Sequence, residues 1–348
     1  MPDLTKENDD LSTTGNKAFV EYPSVSIVVT TLDNELTMEG CIQSIEELDY
    51  QKKSIEVLVI DAGSKDSTIS IVEKHGVRLI SKSLNAPAAY NYALKIVKSE
   101  IVGFIDADAR VEKQWLKKLI PHLYNKEVAA AAGTIETWNK NRLISRCIGY
   151  DLNYRYNRIH GNVQRVATMN LILKKEVIEE VGGFDENLPT QYDTDVGTRI
   201  SSAGYKIIVD TEAKCYHFHR STLAQYFKQQ FRYGENTVKL YFKHSHLMRG
   251  DEITDWWMNF QPILYVAISI LLLAGLIQAF RPVAWMLSFF LATATIIQYT
   301  FSAIKLSFRY HDPTALALVV IYISRAVAWT LGAITTGIVT ILRVRRAK

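Results

Sequence analysis

Two kinds of apolar patterning divide the chain. Up to about residue 124, short runs rich in β-branched residues alternate with stretches of helical periodicity. Residues 25–31 form an apolar run of the kind a strand shows when both faces of a parallel sheet are covered. A helix over residues 37–48 follows, then strands at 55–60 and 77–80, separated by a helix that Asp66 or Ser67 can cap and that ends at Lys74. A helix over 87–97, a strand over 101–105 and a helix over 112–124 complete this part; in the last helix Trp115, Leu116, Leu119 and Leu123 recur at helical spacing. The repeated β-α-β order predicts a doubly wound α/β sheet, with its ligand site at the carboxyl ends of the strands.

The second pattern begins near residue 256. Residues 256–280 and 282–304 carry no charge, and 313–342 is interrupted only by Arg325, so spans are expected at about 258–280, 283–304 and 314–342. An arginine there is costly unless it snorkels, lines a cavity or meets an anion. Gly332 and Gly337 offer a place for a bend. Residues 221–243 set Leu223, Tyr226, Phe227 and Phe231 on one face beside Lys228 and Arg232, the pattern of an interfacial helix. The expected organisation is a loose polar tail at 1–22, an α/β domain at 23–220, amphipathic helices at 221–255 and a membrane region at 256–348.

Charge sharpens this division. The net charge of +4 conceals a segment from residue 260 onward with eight bases against the single acid Asp312, which leaves 32 bases and 35 acids before it. The excess positive charge lies among apolar runs, which argues against nucleic acid as a partner. Residues 1–22 have no apolar core of a signal peptide, so the α/β part is expected in the cytosol. Three spans would then put Arg343, Arg345, Arg346 and Lys348 outside, against the positive-inside tendency. Cys41, Cys147 and Cys215 are widely spaced, which excludes a disulfide scaffold or a CxxC zinc site.

Polar residues gather at the predicted strand ends. Thr31, Asp33, Asn34 and Glu35 follow the first strand, Asp61-Ala-Gly-Ser64 the second, and Asp106-Ala-Asp108 the fourth. Asp61 to Ser64 also reads as an ordinary helix-entry turn. Two carboxylates two residues apart at a strand end point the same way and repel, which a hard divalent cation such as Mg²⁺ or Mn²⁺ relieves. His217 and His219 share one side of a late strand and are candidates to complete the metal shell or to contact phosphate, or else are core histidines.

The succession Val25-Ser-Ile-Val-Val-Thr-Thr-Leu-Asp-Asn-Glu35, Val59-Ile-Asp-Ala-Gly-Ser-Lys-Asp-Ser-Thr68, Ala88-Ala-Tyr-Asn91 and Phe104-Ile-Asp-Ala-Asp108 resembles the nucleotide-sugar-binding half of family 2 glycosyltransferases of the GT-A fold. Gly182-Gly-Phe-Asp-Glu186, Tyr192-Asp-Thr-Asp195 and Tyr216-His-Phe-His-Arg220 are similar to the acceptor half, so the resemblance covers about residues 24–235. It implies a doubly wound mixed sheet. It also implies donor contacts from Thr31, Asp33, Glu35, Asp61, Asn91 and Asp106, a metal held by Asp108 and His217, and Asp193 as catalytic base. Three positions depart from the family pattern: Tyr192 stands where a Glu is usual, Tyr90 where many members carry Arg or Lys, and Thr30 where a Pro is usual.

Inverting sugar transfer needs charge neutralised on the leaving diphosphate and a carboxylate to take the acceptor proton. The Tyr- and Arg-rich segment 150–158 and Asn170 suit an acceptor site, or a solvated loop. Gln229-Gln-Phe-Arg-Tyr233 is similar to a motif of processive polysaccharide synthases and makes Arg232 a candidate for diphosphate or acceptor contact. The expected activity is metal-dependent transfer from a UDP- or GDP-sugar to a lipid-linked or envelope-polysaccharide acceptor at the cytosolic face of a cell membrane, with membrane lipid as a partner. A polyprenyl-phosphate sugar synthase is the enzymatic alternative. A catalytically silent nucleotide-sugar-binding scaffold is the alternative of another class.

Overall fold

The computed structural model describes residues 22–159, 161–165 and 167–346. The expected loose tail, apart from Tyr22, and the terminal Ala347 and Lys348 lie outside the described residues. In chain order the elements are β1 (Val25–Thr31), α1 (Met38–Glu46), β2 (Ile55–Asp61), α2 (Thr68–Lys74), β3 (Arg78–Ser81), α3 (Ala86–Ile96), β4 (Ile101–Asp106), β5 (Ala109–Val111), α4 (Trp115–Leu123), β6 (Val128–Thr137), α5 (Leu143–Tyr156), β7 (Gly161–Asn162), β8 (Leu171–Lys174), α6 (Lys175–Glu180), α7 (Tyr192–Ser202), β9 (Lys206–His217), α8 (Leu223–Lys243), α9 (Trp256–Ala274), α10 (Arg281–Tyr310) and α11 (Leu318–Arg346).

The sheet runs β3-β2-β1-β4-β8-β6-β9-β5, with β7 on the flank of β9. β3, β2, β1 and β4 are parallel, as the β-α-β order requires. Beyond β4 the sheet turns mixed, because β8 lies antiparallel to both β4 and β6, while β6 and β9 are parallel. On one face Met38, Ile42 and Ile45 of α1 pack with Trp115 and Leu119 of α4; on the other, Tyr90 and Ala93 of α3 pack with Ile178, Val196 and Ile200. This leaves the carboxyl ends of β1, β2 and β4 open to solvent-accessible loops.

Three described helical segments are long and apolar enough to cross a membrane: Trp256–Ala274, Arg281–Tyr310 and Pro313–Ile338. They differ in surroundings. α9 and α10 present Ile270, Leu273, Phe289, Phe290 and Phe301 to the outside, whereas over half of an apolar 18-residue stretch of the third segment is buried. The reason lies in α8, which runs alongside α11. Tyr226, Gln230, Gly234, Thr237 and Leu240 form its buried face, so the expected stripe of Leu223, Tyr226, Phe227 and Phe231 only partly coincides with it. Trp329 Nε1 donates to Gln230 Oε1 at 2.9 Å, and Thr336 Oγ1 to the Glu235 carbonyl at 3.0 Å. A Cβ on Gly332 would stand 2.2 Å from the Phe231 carbonyl oxygen, so glycine is needed there for helix approach. α11 runs unbroken through Gly332 and Gly337, with no bend into a further span.

Arg325 is 5% exposed and meets the Asp151 carboxylate of α5 at 3.3 Å. Of the routes that make a buried arginine tolerable, this chain uses the anion and the cavity wall. The segment 150–158 is mostly helix rather than loop, and α10 docks on it: Tyr310 stacks on Tyr150 with centroids 4.3 Å apart, and its hydroxyl donates to Asn153 at 2.7 Å.

Candidate active site

The end of β4 and the end of β9 bring Asp106, Asp108 and His217 together, with one ligand atom of each within 4.8 Å of the others. His217 Nε2 lies 3.1 Å from Asp108 Oδ1, and Arg220 Nη2 lies 3.8 Å from Asp108 Oδ2. Burial and then the Asp108 charge push the Asp106 carboxyl upward, while Tyr90 donates to its Oδ1 at 3.2 Å. Burial opposes ionisation of Asp108, but the neighbouring His217 outweighs it and holds that carboxyl below the usual range. The two histidines face each other, Nδ1 to Nδ1, at 2.9 Å. Such a bond needs one protonated and one bare nitrogen. Burial acts against the charge on both rings; Asp108 reverses this for His217 and raises its pKa, whereas burial and the His217 charge hold His219 well below the usual value. His217 Nε2 is the ring nitrogen that faces the carboxylates.

α7 supplies the third carboxylate. Asp195, fully buried, is held by Arg199 at 2.7 Å, Lys243 at 2.7 Å and His244 at 2.8 Å, so it serves the fold. Asp193 is different: it accepts from the Thr194 N–H at 2.8 Å, and among the described residues no cation lies within 4.0 Å of it. Burial raises its pKa, opposed by the more distant Arg165, which Asp251 engages at 3.2 Å. The helix entry is set by Gln191, a non-glycine residue at φ 69°, tied to α8 through Thr237 Oγ1 at 3.1 Å.

Asp106, Asp193 and His217 line one cavity of about 230 Å³. Its opposite wall comes from Gln229, Gln230 and Tyr233 of α8, Met258 of α9, and Arg325 and Trp329 of α11. The remaining sequence candidates are placed as follows. Thr31 accepts from Asn34 Nδ2 at 3.1 Å; Asp33, at φ 52°, accepts from Lys65 N–H at 2.8 Å; and Glu35 accepts from Ser67 N–H at 3.2 Å, which stitches together the loops after β1 and β2. Asp61 accepts from the Gly63 and Ser64 N–H groups at 2.9 and 3.1 Å and so shapes the turn itself. Asn91 bonds both the N–H and the carbonyl of Phe184, at 2.8 Å each, a brace for the Gly-Gly-Phe-Asp turn.

Two expectations fare differently. Asn170 is buried, its amide oxygen accepting from Trp115 Nε1 at 2.6 Å and its amide nitrogen donating to the Thr134 carbonyl at 3.0 Å. Arg232 is exposed and lies outside the cavity wall; its neighbour Tyr233 lines the cavity, because a helix turns 100° per residue. Arg220, quoted from a motif but given no role, takes the basic position beside Asp108. Arg155 and Arg165, also on the wall, carried no sequence signal beyond the density of arginine near residue 155. The two tyrosine departures meet in space: Tyr90 and Tyr192 lie 5.9 Å apart between ring centroids, within a cluster that includes Phe104 and Phe184.

The chain is similar to several known proteins. Residues 26–182 match the family model "Glycosyl transferase family 2". Glycosyltransferase AglE of Haloferax volcanii is 23% identical over 227 residues, 63% of this chain and 74% of AglE. Beta-monoglucosyldiacylglycerol synthase of Synechocystis sp. is 24% identical over 211 residues, 56% of this chain and 43% of the synthase. Among solved structures, the mannosyltransferase PcManGT from Pyrobaculum calidifontis, in complex with GDP-Man and Mn²⁺, superposes with a TM-score of 0.59 at 20% identity, covering 91% of this chain and 88% of that one. With the mixed sheet, the acid-rich strand end and the family match in agreement, residues 26–182 form a family 2 glycosyltransferase domain, and the chain shares the GT-A fold of PcManGT.

Proposed function

We propose that the chain transfers a sugar, with inversion, from a UDP- or GDP-sugar to a hydroxyl of a lipid-linked or envelope-polysaccharide acceptor at the cytosolic face of a membrane. One observation carries this reading: the Asp106–His217 cluster and the unpaired Asp193 line a single cavity whose far wall is built by α8, α9 and α11. GDP-Man and Mn²⁺ in PcManGT and the glycolipid product named for the Synechocystis synthase support the same substrate classes.

Carboxylate oxygens and an imidazole nitrogen within 4.8 Å make a hard donor set that suits Mg²⁺ or Mn²⁺, with Asp106, Asp108 and His217 as the holders. A divalent cation bound there neutralises charge on the departing diphosphate. Arg220 adds positive charge on the same side, and the stitched loops carrying Asp33, Glu35 and Asp61 border the nucleotide. Asp193 takes the acceptor proton; its burial makes it a stronger base than an exposed aspartate. The decisive assay follows transfer from a panel of nucleotide-sugars by the detergent-solubilised chain with membrane lipid, in Mn²⁺ or in chelator. Chelation and Asp108→Asn are each expected to lower transfer on the order of 10²-fold or more. Full activity in chelator overturns the metal-dependent reading.

For the membrane region we infer two crossings, α9 and α10, with α11 lying at the membrane face beside α8. The polar and charged surface of α8, with Lys228, Arg232 and Lys239 exposed, supports this, since α11 keeps to its side from Tyr226 and Arg325 through Glu235 and Thr336. An even number of crossings also returns the C-terminal bases to the catalytic side. A cysteine added at the C-terminus is expected to react with a membrane-impermeant maleimide from the same side as the catalytic domain in sealed vesicles. Labelling only after detergent would restore three crossings.

A further inference from the structure

Beside the cavity that holds Asp193 lies a second, of about 210 Å³, walled by α5, α9, α10 and α11. Asp151, Arg155, Met258 and Arg325 line both. The second cavity sits where α9 begins and where the last turns of α10 dock on α5, at the catalytic-domain end of the apolar helices.

Its charges do not balance. Arg155, Arg158, Lys305 and Arg325 face Asp151 and Asp255. Asp151 is divided between Arg155 at 3.0 Å and Arg325 at 3.3 Å, and Asp255 caps α9 by accepting from the Met258 N–H at 2.9 Å. Among the described residues neither Arg158 nor Lys305 has a carboxylate within 4.0 Å. With Arg309 they crowd the Tyr154 ring, at 5.4, 5.0 and 5.5 Å from its centroid. Three cations around one ring repel one another unless an anion joins them.

Its hydrogen bonding is also incomplete. Arg155 Nε, Arg325 Nε and Trp257 Nε1 are buried N–H donors without an acceptor, and the Tyr299 hydroxyl beside them has no partner either. Tyr299 is 1% exposed and Arg325 5%. A buried donor left unmet carries its desolvation cost without the hydrogen bond that would offset it. Several such groups around one cationic cavity call for a guest that is anionic and rich in acceptors.

We propose that this cavity binds the phosphate or diphosphate of a long-chain lipid whose tail lies along the exposed apolar faces of α9 and α10. The proposal rests on the lipid-acceptor reading above and deepens it: the acceptor is a hydroxyl-bearing group carried on a lipid phosphate, with its anionic link in the second cavity and its reacting hydroxyl in the first.

The test measures binding of a long-chain isoprenyl phosphate, the isoprenol of the same length and inorganic phosphate to the full chain in phosphatidylcholine nanodiscs. The lipid phosphate is expected to bind at least 10-fold more tightly than the alcohol, and Arg158→Gln with Lys305→Gln is expected to erase that preference. Both side chains are exposed, so the double variant folds. Equal binding of phosphate and alcohol, or a preference that survives the double substitution, overturns the site. Competition by inorganic phosphate at the affinity of the lipid makes it a free-anion site and overturns the lipid assignment. UDP and GDP binding, read in parallel, separates the two readings. Intact nucleotide binding and transfer with no phosphate preference sinks this site alone, whereas loss of both sinks the functional reading and this proposal with it.

Discussion

Asp193→Asn is expected to lower sugar transfer by about 10²–10⁴-fold while leaving nucleotide-sugar binding intact. Asparagine keeps the shape of the side chain and an oxygen that can accept from the Thr194 N–H, so what is lost is the ability to take a proton. The effect on folding should be the reverse. Burial raises the pKa of Asp193 in the folded chain, so its ionised form weighs against folding and stability falls as pH rises through that pKa. The asparagine variant should therefore melt at neutral pH no lower than the wild type. The same shift sets the pH profile. A base works only when deprotonated, so the wild-type rate should fall with pH along an acid limb above the usual aspartate pKa of about 3.9, and the variant's residual rate should lack that limb. Transfer that persists in Asp193→Asn would assign the reaction to an acceptor already ionised, a phosphate, and would remove Asp193 from the chemistry.

The largest expected effect on stability belongs to Gly332→Val. Each of the two helices that wall the cavity presents a glycine to the other: a Cβ on Gly332 would meet the Phe231 carbonyl oxygen at 2.2 Å, and one on Gly234 would meet the Trp329 carbonyl oxygen at 2.5 Å. Backbone cannot rotate away as a side chain can, so a branched residue must separate the helices. The cost should be about 3 kcal/mol, at the upper end of overpacking effects, and should appear as a clear fall in melting temperature in detergent. Because α8 carries Gln229, Gln230 and Tyr233 of the cavity wall, transfer should fall with it. An unchanged melting temperature would mean that α8 and α11 are not in contact.

Much of the nucleotide-binding half was legible from the chain itself. β1 was expected and found at Val25–Thr31, and β2, β3, β4, α1, α3 and α4 differ from expectation by a few terminal residues. β6 was missed because Val128–Thr137 is rich in alanine, which has little preference for strands. Small side chains suit that position all the same, since the strand is buried almost throughout between α4 and α5. The cluster at Asp106 and Asp108 could be named from one strand end and a likeness to a family. The roles of Asn170 and Arg232 could not, because whether an amide or a guanidinium is free depends on partners that the local motif does not contain.

Local patterning thus determined which segments become strands and apolar helices, that three carboxyl-bearing strand ends share one edge of a sheet, and that the chain joins an α/β domain to helices long and apolar enough to cross a membrane. Those signals lie in periods of two and 3.6 residues and in runs about as long as a bilayer is thick. Tertiary structure alone decided that Asp193 has no cation within 4.0 Å among the described residues while Asp195 is bound on three sides, that Tyr90 and Tyr192 are neighbours, that Arg325 pairs with Asp151 across 174 residues of sequence, and that α11 lies against α8. The reason is electrostatic and steric: the energy of a charge or of a missing side chain is set by what surrounds it, and those surroundings come from distant parts of the chain.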